Sequence, residues 1–152
     1  MRLIKGTPAS MEEHQEQCAL ICWWAYQCQA LGVPENLLFA IPNGGDRNVL
    51  VGKKLKDEGV RRGVPDLFLA YPVGNSHGLF IEMKRCKGGR TSPEQRAMLD
   101  MLSDHGFSVA ICAGFKEAKA VIEGYLCNGG CGNNGNNANN GKRRIKNDAQ
   151  KI

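Results

Sequence analysis

Gly63-Val64-Pro65-Asp66-Leu67-Phe68-Leu69-Ala70-Tyr71, Leu79-Phe80-Ile81-Glu82-Met83-Lys84-Arg85 and Thr91-Ser92-Pro93-Glu94-Gln95 are the three pieces around which the 152-residue chain is built. Two short apolar runs each carry a carboxylate, and the second adds a lysine two residues on. Side chains two apart on a strand share a face. Phe80, Glu82 and Lys84 therefore look one way, while Leu79, Ile81 and Met83 look the other, toward a core. Asp66 follows Pro65, which cannot continue a strand ladder. If the two runs pair through residues 72–78, Asp66 and Glu82 meet at one end of a sheet. Two carboxylates with an ammonium beside them make a hard-cation site suited to a phosphodiester.

Working outward, Ser10-Met11-Glu12-Glu13 has capping-box spacing and predicts a helix to about Gln29. Glu16 stands on the stripe of Leu20 and Trp23, and an acid there needs a reason. It is the candidate for an additional metal-site carboxylate. Cys18, Cys22 and Cys28 are expected to be small core residues. A strand is expected over Leu37–Ile41, a turn at Pro42–Gly45, and a helix over Asn48–Glu58 stopped by Gly59. Strands follow at 66–71 and 79–84. Ser92 reads as an N-cap, with Pro93 at N1 and Gln95 at N3. A strand over Phe107–Cys112 and a helix over 115–126 complete the order, with Ala118, Val121, Ile122, Tyr125 and Leu126 inward. This predicts the α/β class, a mixed central sheet flanked by helices. Residues 1–126 form the domain; residues 127–152 read as an Asn/Gly-rich, basic, disordered tail.

The net charge is +5, unevenly spread. Residues 1–127 hold 15 basic and 14 acidic side chains, and residues 128–152 hold five and one. Basic clusters at 53–62 and 84–90 flank the proposed carboxylates, which favours a polyanionic partner. Asn43, Arg47, Lys53, Arg85, Lys87 and Arg90 are the candidate nucleic-acid contacts. No apolar run approaches the ~20 residues of a membrane span. The N-terminus does not read as a signal peptide, and seven cysteines, an odd number, argue for reduced thiols, so a cytoplasmic setting is expected.

Pro65-Asp66 followed by Glu82-Met83-Lys84 fits the P-D…(D/E)-x-K pattern of a nuclease superfamily. Pro42-Asn43-Gly44-Gly45, Gly63-Val64-Pro65-Asp66-Leu67, Ile81-Glu82-Met83-Lys84 and Ser92-Pro93-Glu94-Gln95, in that order, resemble a VRR-NUC (virus-type replication-repair nuclease) domain over roughly residues 12–126. The resemblance implies a restriction-endonuclease-like core and metal-dependent cleavage of DNA, leaving 5′-phosphate and 3′-hydroxyl ends. Asp66 and Glu82 would hold Mg²⁺ or Mn²⁺, joined by Glu16 and a main-chain carbonyl near Met83. Lys84 would orient water or stabilise charge on the phosphate. The resemblance also puts Gln95 beside the site; serving the capping box as well would require its side chain to switch partners. Stand-alone members imply a homodimer acting on branched DNA such as four-way junctions, with the Trp23–Trp24 helix or the 115–126 helix as interface or core. Two other readings stay open: a DNA-binding module that no longer cuts, and a sequence-specific restriction-type endonuclease, for which the chain leaves little room.

Overall fold

The computed structural model describes residues 9–42 and 54–130, with side chains from 13 to 128. Within them the order is α1 (Ala9–Gln27), β1 (Leu38–Ala40), β2 (Leu67–Leu69), β3 (Leu79–Lys84), α2 (Pro93–Asp104), β4 (Ser108–Ala113) and α3 (Phe115–Gly130). The strands form one mixed sheet in the order β1-β2-β3-β4. The first two pairings are antiparallel and the last is parallel. This is the expected α/β architecture. The hairpin β2–β3 turns through 70–78, and α2 supplies the crossover that a parallel β3–β4 pair requires.

One face of the sheet makes the core. Leu67, Leu69, Ile81, Met83 and Cys112 are completely buried there. Leu20 and Trp24 of α1 and Ala118, Ile122 and Tyr125 of α3 belong to the same cluster. Each buried Leu or Ile contributes about 1.5–3 kcal/mol. The aromatic polar ends find partners: Trp24 Nε1 donates to the Glu35 carbonyl at 2.8 Å, and the Tyr125 hydroxyl to the Tyr71 carbonyl at 2.7 Å. The Trp23–Trp24 helix and the 115–126 stripe are thus core.

The structure departs from the sequence reading in three places. Helix α1 opens at Ala9, one residue before the expected cap at Ser10. Cys28 is buried, but Cys18 and Cys22 are exposed. Each of the latter stands two residues from Leu20, about 200° around a helix of 3.6 residues per turn, and so on the solvent side. Helix α3 continues to Gly130, beyond the expected end at Leu126. Of the helix expected over 48–58, residues 54–57 are described and helical, and Gly59, with φ +95°, ends it. The tail from 131 onward lies outside the described residues. Among the described residues no helix is long and apolar enough to cross a membrane.

Candidate active site

The face of the sheet opposite the core carries the predicted site. Leu67 stands opposite Ile81 across the β2–β3 pair, which brings Asp66 level with Glu82. Strand β2 begins only after Pro65, so the Met83 amide of β3 has outrun its backbone ladder. The Asp66 carboxylate takes over: Met83 N–H donates to Asp66 Oδ2 at 2.8 Å. Met83 itself buries its side chain in the core and offers only main chain to the site.

Glu82 is 1% exposed. Its Oε1 accepts from Lys84 Nζ at 2.5 Å and from Gln95 Nε2. Its Oε2 is buried and has no hydrogen-bond partner among the described residues. Lys84 Nζ also donates to Gln95 Oε1 at 3.3 Å. Gln95 meanwhile closes the α2 capping box: its Oε1 accepts from Ser92 N–H at 2.9 Å, and its N–H donates to Ser92 Oγ at 3.2 Å. The two roles expected to compete are held together, because the amide has two ends. Its oxygen serves both Ser92 and Lys84 while its nitrogen serves Glu82.

The loop bearing Asp66 rests on the first turn of α2. Gly63 makes this possible: its φ is +81°, and a Cβ there would lie 2.6 Å from the Glu94 carbonyl oxygen. Burial pushes Glu82 up to about 6 from an ordinary 4.5, with the Asp66 and Glu13 charges adding to the rise and Lys84 opposing it. Burial also raises Asp66, against the Met83 hydrogen bond and the Lys84 charge. Both acids resist ionisation in the bare protein, and an incoming cation relieves that resistance. The unpartnered Glu82 Oε2 beside Asp66 therefore fits a divalent cation, although no group of three or more His, Cys, Asp or Glu side chains converges among the described residues.

Glu16 has a different task from the one its stripe suggested. Its Oε2 accepts from Phe115 N–H at 2.6 Å, at the N-terminus of α3, where a carboxylate is favoured. Its Oε1 lies 3.8 Å from the Cys86 thiol. Glu13, about a turn earlier, is the α1 acid whose charge acts on Glu82. Seven residues before Leu20 on the same stripe, it was within reach of the periodicity argument. Arg85, Lys87 and Arg90 stand in the connection leaving β3, with Lys87 and Arg90 exposed. The Arg85 guanidinium donates to the Gly88 carbonyl at 3.1 Å. Arg61 and Arg62, which belong to the basic cluster at 53–62 but were not among the named contacts, are exposed in the loop leading to Asp66. Asn43, Arg47 and Lys53 lie outside the described residues.

Comparison with known proteins agrees with the fold. The family model of the VRR-NUC domain matches residues 6–116, and the chain belongs to that family. A solved structure described as a VRR_NUC domain protein superposes with a TM-score of 0.69 at 27% identity, covering 83% of this chain and 93% of that one. Comparison with curated proteins finds no match. The chain is thus a nuclease-type domain on an α/β fold.

Proposed function

We propose that this domain hydrolyses DNA phosphodiesters with a divalent cation at Asp66 and Glu82. The observation that carries the reading is the buried Glu82 Oε2, unpartnered among the described residues, next to a second, half-buried acid, with an ammonium held alongside. Asp66, Glu82 and the Met83 carbonyl would hold Mg²⁺ or Mn²⁺, and Glu13 is better placed than Glu16 to join them. The cation supplies Lewis acidity, activating water and offsetting charge on the phosphate. Lys84 presents its ammonium to the phosphate as a point charge. Gln95 holds that ammonium and Glu82 in one geometry before substrate arrives, so little reorganisation is left for the reaction. Arg85, Lys87 and Arg90, with Arg61 and Arg62, extend positive charge along the phosphate backbone, and Asn43, Arg47 and Lys53 are proposed to add to it.

The finer reading is selectivity for branched DNA by a homodimer. The described residues hold no separate element for reading bases in a groove, so selection falls to DNA shape. Paired cuts on opposing strands call for two sites related by an axis. The test is to incubate the protein with linear, flap, splayed and four-way DNA under Mg²⁺ and Mn²⁺, with its mass measured by light scattering. A dimer preferring four-way DNA is expected; a monomer cutting every form equally overturns the finer reading. Binding without any metal-dependent cleavage across the panel overturns the nuclease reading in favour of a non-cutting module.

A further inference from the structure

The catalytic face of the sheet continues, one step along the strands, into a row of aromatic rings. Phe39, Phe68 and Phe80 stand opposite one another on β1, β2 and β3. Phe68 and Phe80 stack at 4.2 Å with their planes 22° apart. Phe107 meets Phe80 edge-on at 5.3 Å, and Phe39 meets Phe68 edge-on at 5.7 Å. None of these four rings is buried, whereas the opposite face holds the fully buried core. Phe39, at the outer end on the edge strand, is 44% exposed. Phe68 shares a face with Asp66, and Phe80 with Glu82, at two-residue spacing.

We propose that this row is a stacking platform for unpaired nucleobases of the DNA strand whose phosphate occupies the Asp66–Glu82–Lys84 site, with Phe39 as the ring that receives a base. The proposal rests on the nuclease reading and names what that reading leaves open, the feature by which branched DNA is told from duplex. Three observations select this occupant. The row lies on the same face as the site, so a strand bound there runs over it. Phe80 is about 7 Å from Glu82 along β3, and Phe39 lies about 10 Å further across two strand spacings. Phe39 thus falls within a few nucleotides of the cut. The exposed surface is a single open ring beside three half-covered ones, far short of the roughly 800 Å² per partner that a stable protein interface needs. It is instead about the size of one base. Aromatic rings stack on any base, and a base inside a duplex cannot reach them.

The test uses the full-length protein in EDTA, so that binding is read without cutting. Splayed DNA carries 2-aminopurine at successive unpaired positions, and linear duplex of the same length is the reference. Wild type should quench the probe at one or two of the unpaired positions and leave the others unquenched. Phe39→Ala and Phe39→Leu should lower the splayed-over-duplex affinity ratio about tenfold, the size of one lost base–aromatic contact, and Phe39→Trp should restore it. An unchanged ratio in Phe39→Ala overturns the proposal. So does a Phe39→Leu protein equal to wild type, since that contact would be apolar without stacking. A change of mass by light scattering in either variant overturns it in favour of a second copy of the chain on this face. A protein that shows the ratio change but never cuts DNA keeps the platform and loses the nuclease reading; one that cuts but ignores Phe39 does the reverse.

Discussion

Glu82 is the residue on which the chemistry and the stability pull against each other. Its carboxyl ionises near pH 6 in the folded protein, against 4.5 ordinarily, chiefly because it is buried. The folded state holds that proton more tightly, so the stability this contributes is complete below pH 4.5 and is lost as the pH rises through about 6. Above that, the metal-free protein carries a penalty on the order of 1 kcal/mol. Glu82→Gln should therefore raise the metal-free melting temperature near neutral pH, leave it nearly unchanged at about pH 4, and abolish cleavage. A lower melting temperature near neutral pH would mean that the Lys84 ion pair outweighs burial. Gln95 separates in a similar way. Ser92→Ala removes a cap and should lose about 1 kcal/mol of stability in a denaturant melt. Gln95→Ala also releases Lys84 and Glu82, so it should lower kcat by more than about tenfold while Ser92→Ala does not. The pairing of Gln95 with the site was readable only as an alternative to its cap. A sequence shows one side chain and two partners, and only coordinates show that they meet different atoms.

Among the elements, the β2–β3 hairpin was legible because strand alternation is a local rule: Leu79, Ile81 and Met83 went to the core, and Phe80, Glu82 and Lys84 to the other face. The α1 acids were not. Glu13 and Glu16 stand on one stripe, and which of them nears Glu82 depends on how far the helix slides along the sheet, a contact between residues some 70 positions apart. The same distance hides why Glu16 sits on an apolar stripe, since the N-terminus of α3 that it satisfies is 99 residues away. Gly63 is where two elements are brought close enough to build the site. Gly63→Ala combines a positive φ with a 2.6 Å approach to the Glu94 carbonyl, so it should destabilise by more than about 1 kcal/mol. It should also push Asp66 away from Glu82. Its melting curve, set beside a Mn²⁺ titration followed by proton release, should show both losses. A stable variant with unchanged titration would mean that the loop has another way to reach α2.

The molecule as a whole pairs a body of nearly balanced charge with a strongly basic end, five basic residues and one acid over 128–152. Lys142, Arg143, Arg144 and Lys146 are expected to touch phosphates without taking part in cleavage. Each phosphate neutralised steepens the log–log salt dependence of binding by roughly 0.9. Deleting 131–152 should therefore flatten that slope and weaken binding at low salt, and an unchanged slope would mean that the tail does not touch DNA. The fold class was legible because the helix and strand periods alternate along the chain in the order that an α/β sheet requires. The order of the strands and the aromatic row beside the site were not, because both arise from cross-strand register. The central claim is that Asp66, Glu82 and Lys84 cut DNA with a divalent cation. Single-turnover cleavage of four-way DNA by wild type and Lys84→Ala, each in Mg²⁺ and in excess chelator, tests it most directly. Wild type should cleave in Mg²⁺ alone, and Lys84→Ala should lose at least about 100-fold despite a native melting curve. Cutting that persists in chelator, or a Lys84→Ala protein as fast as wild type, would contradict it.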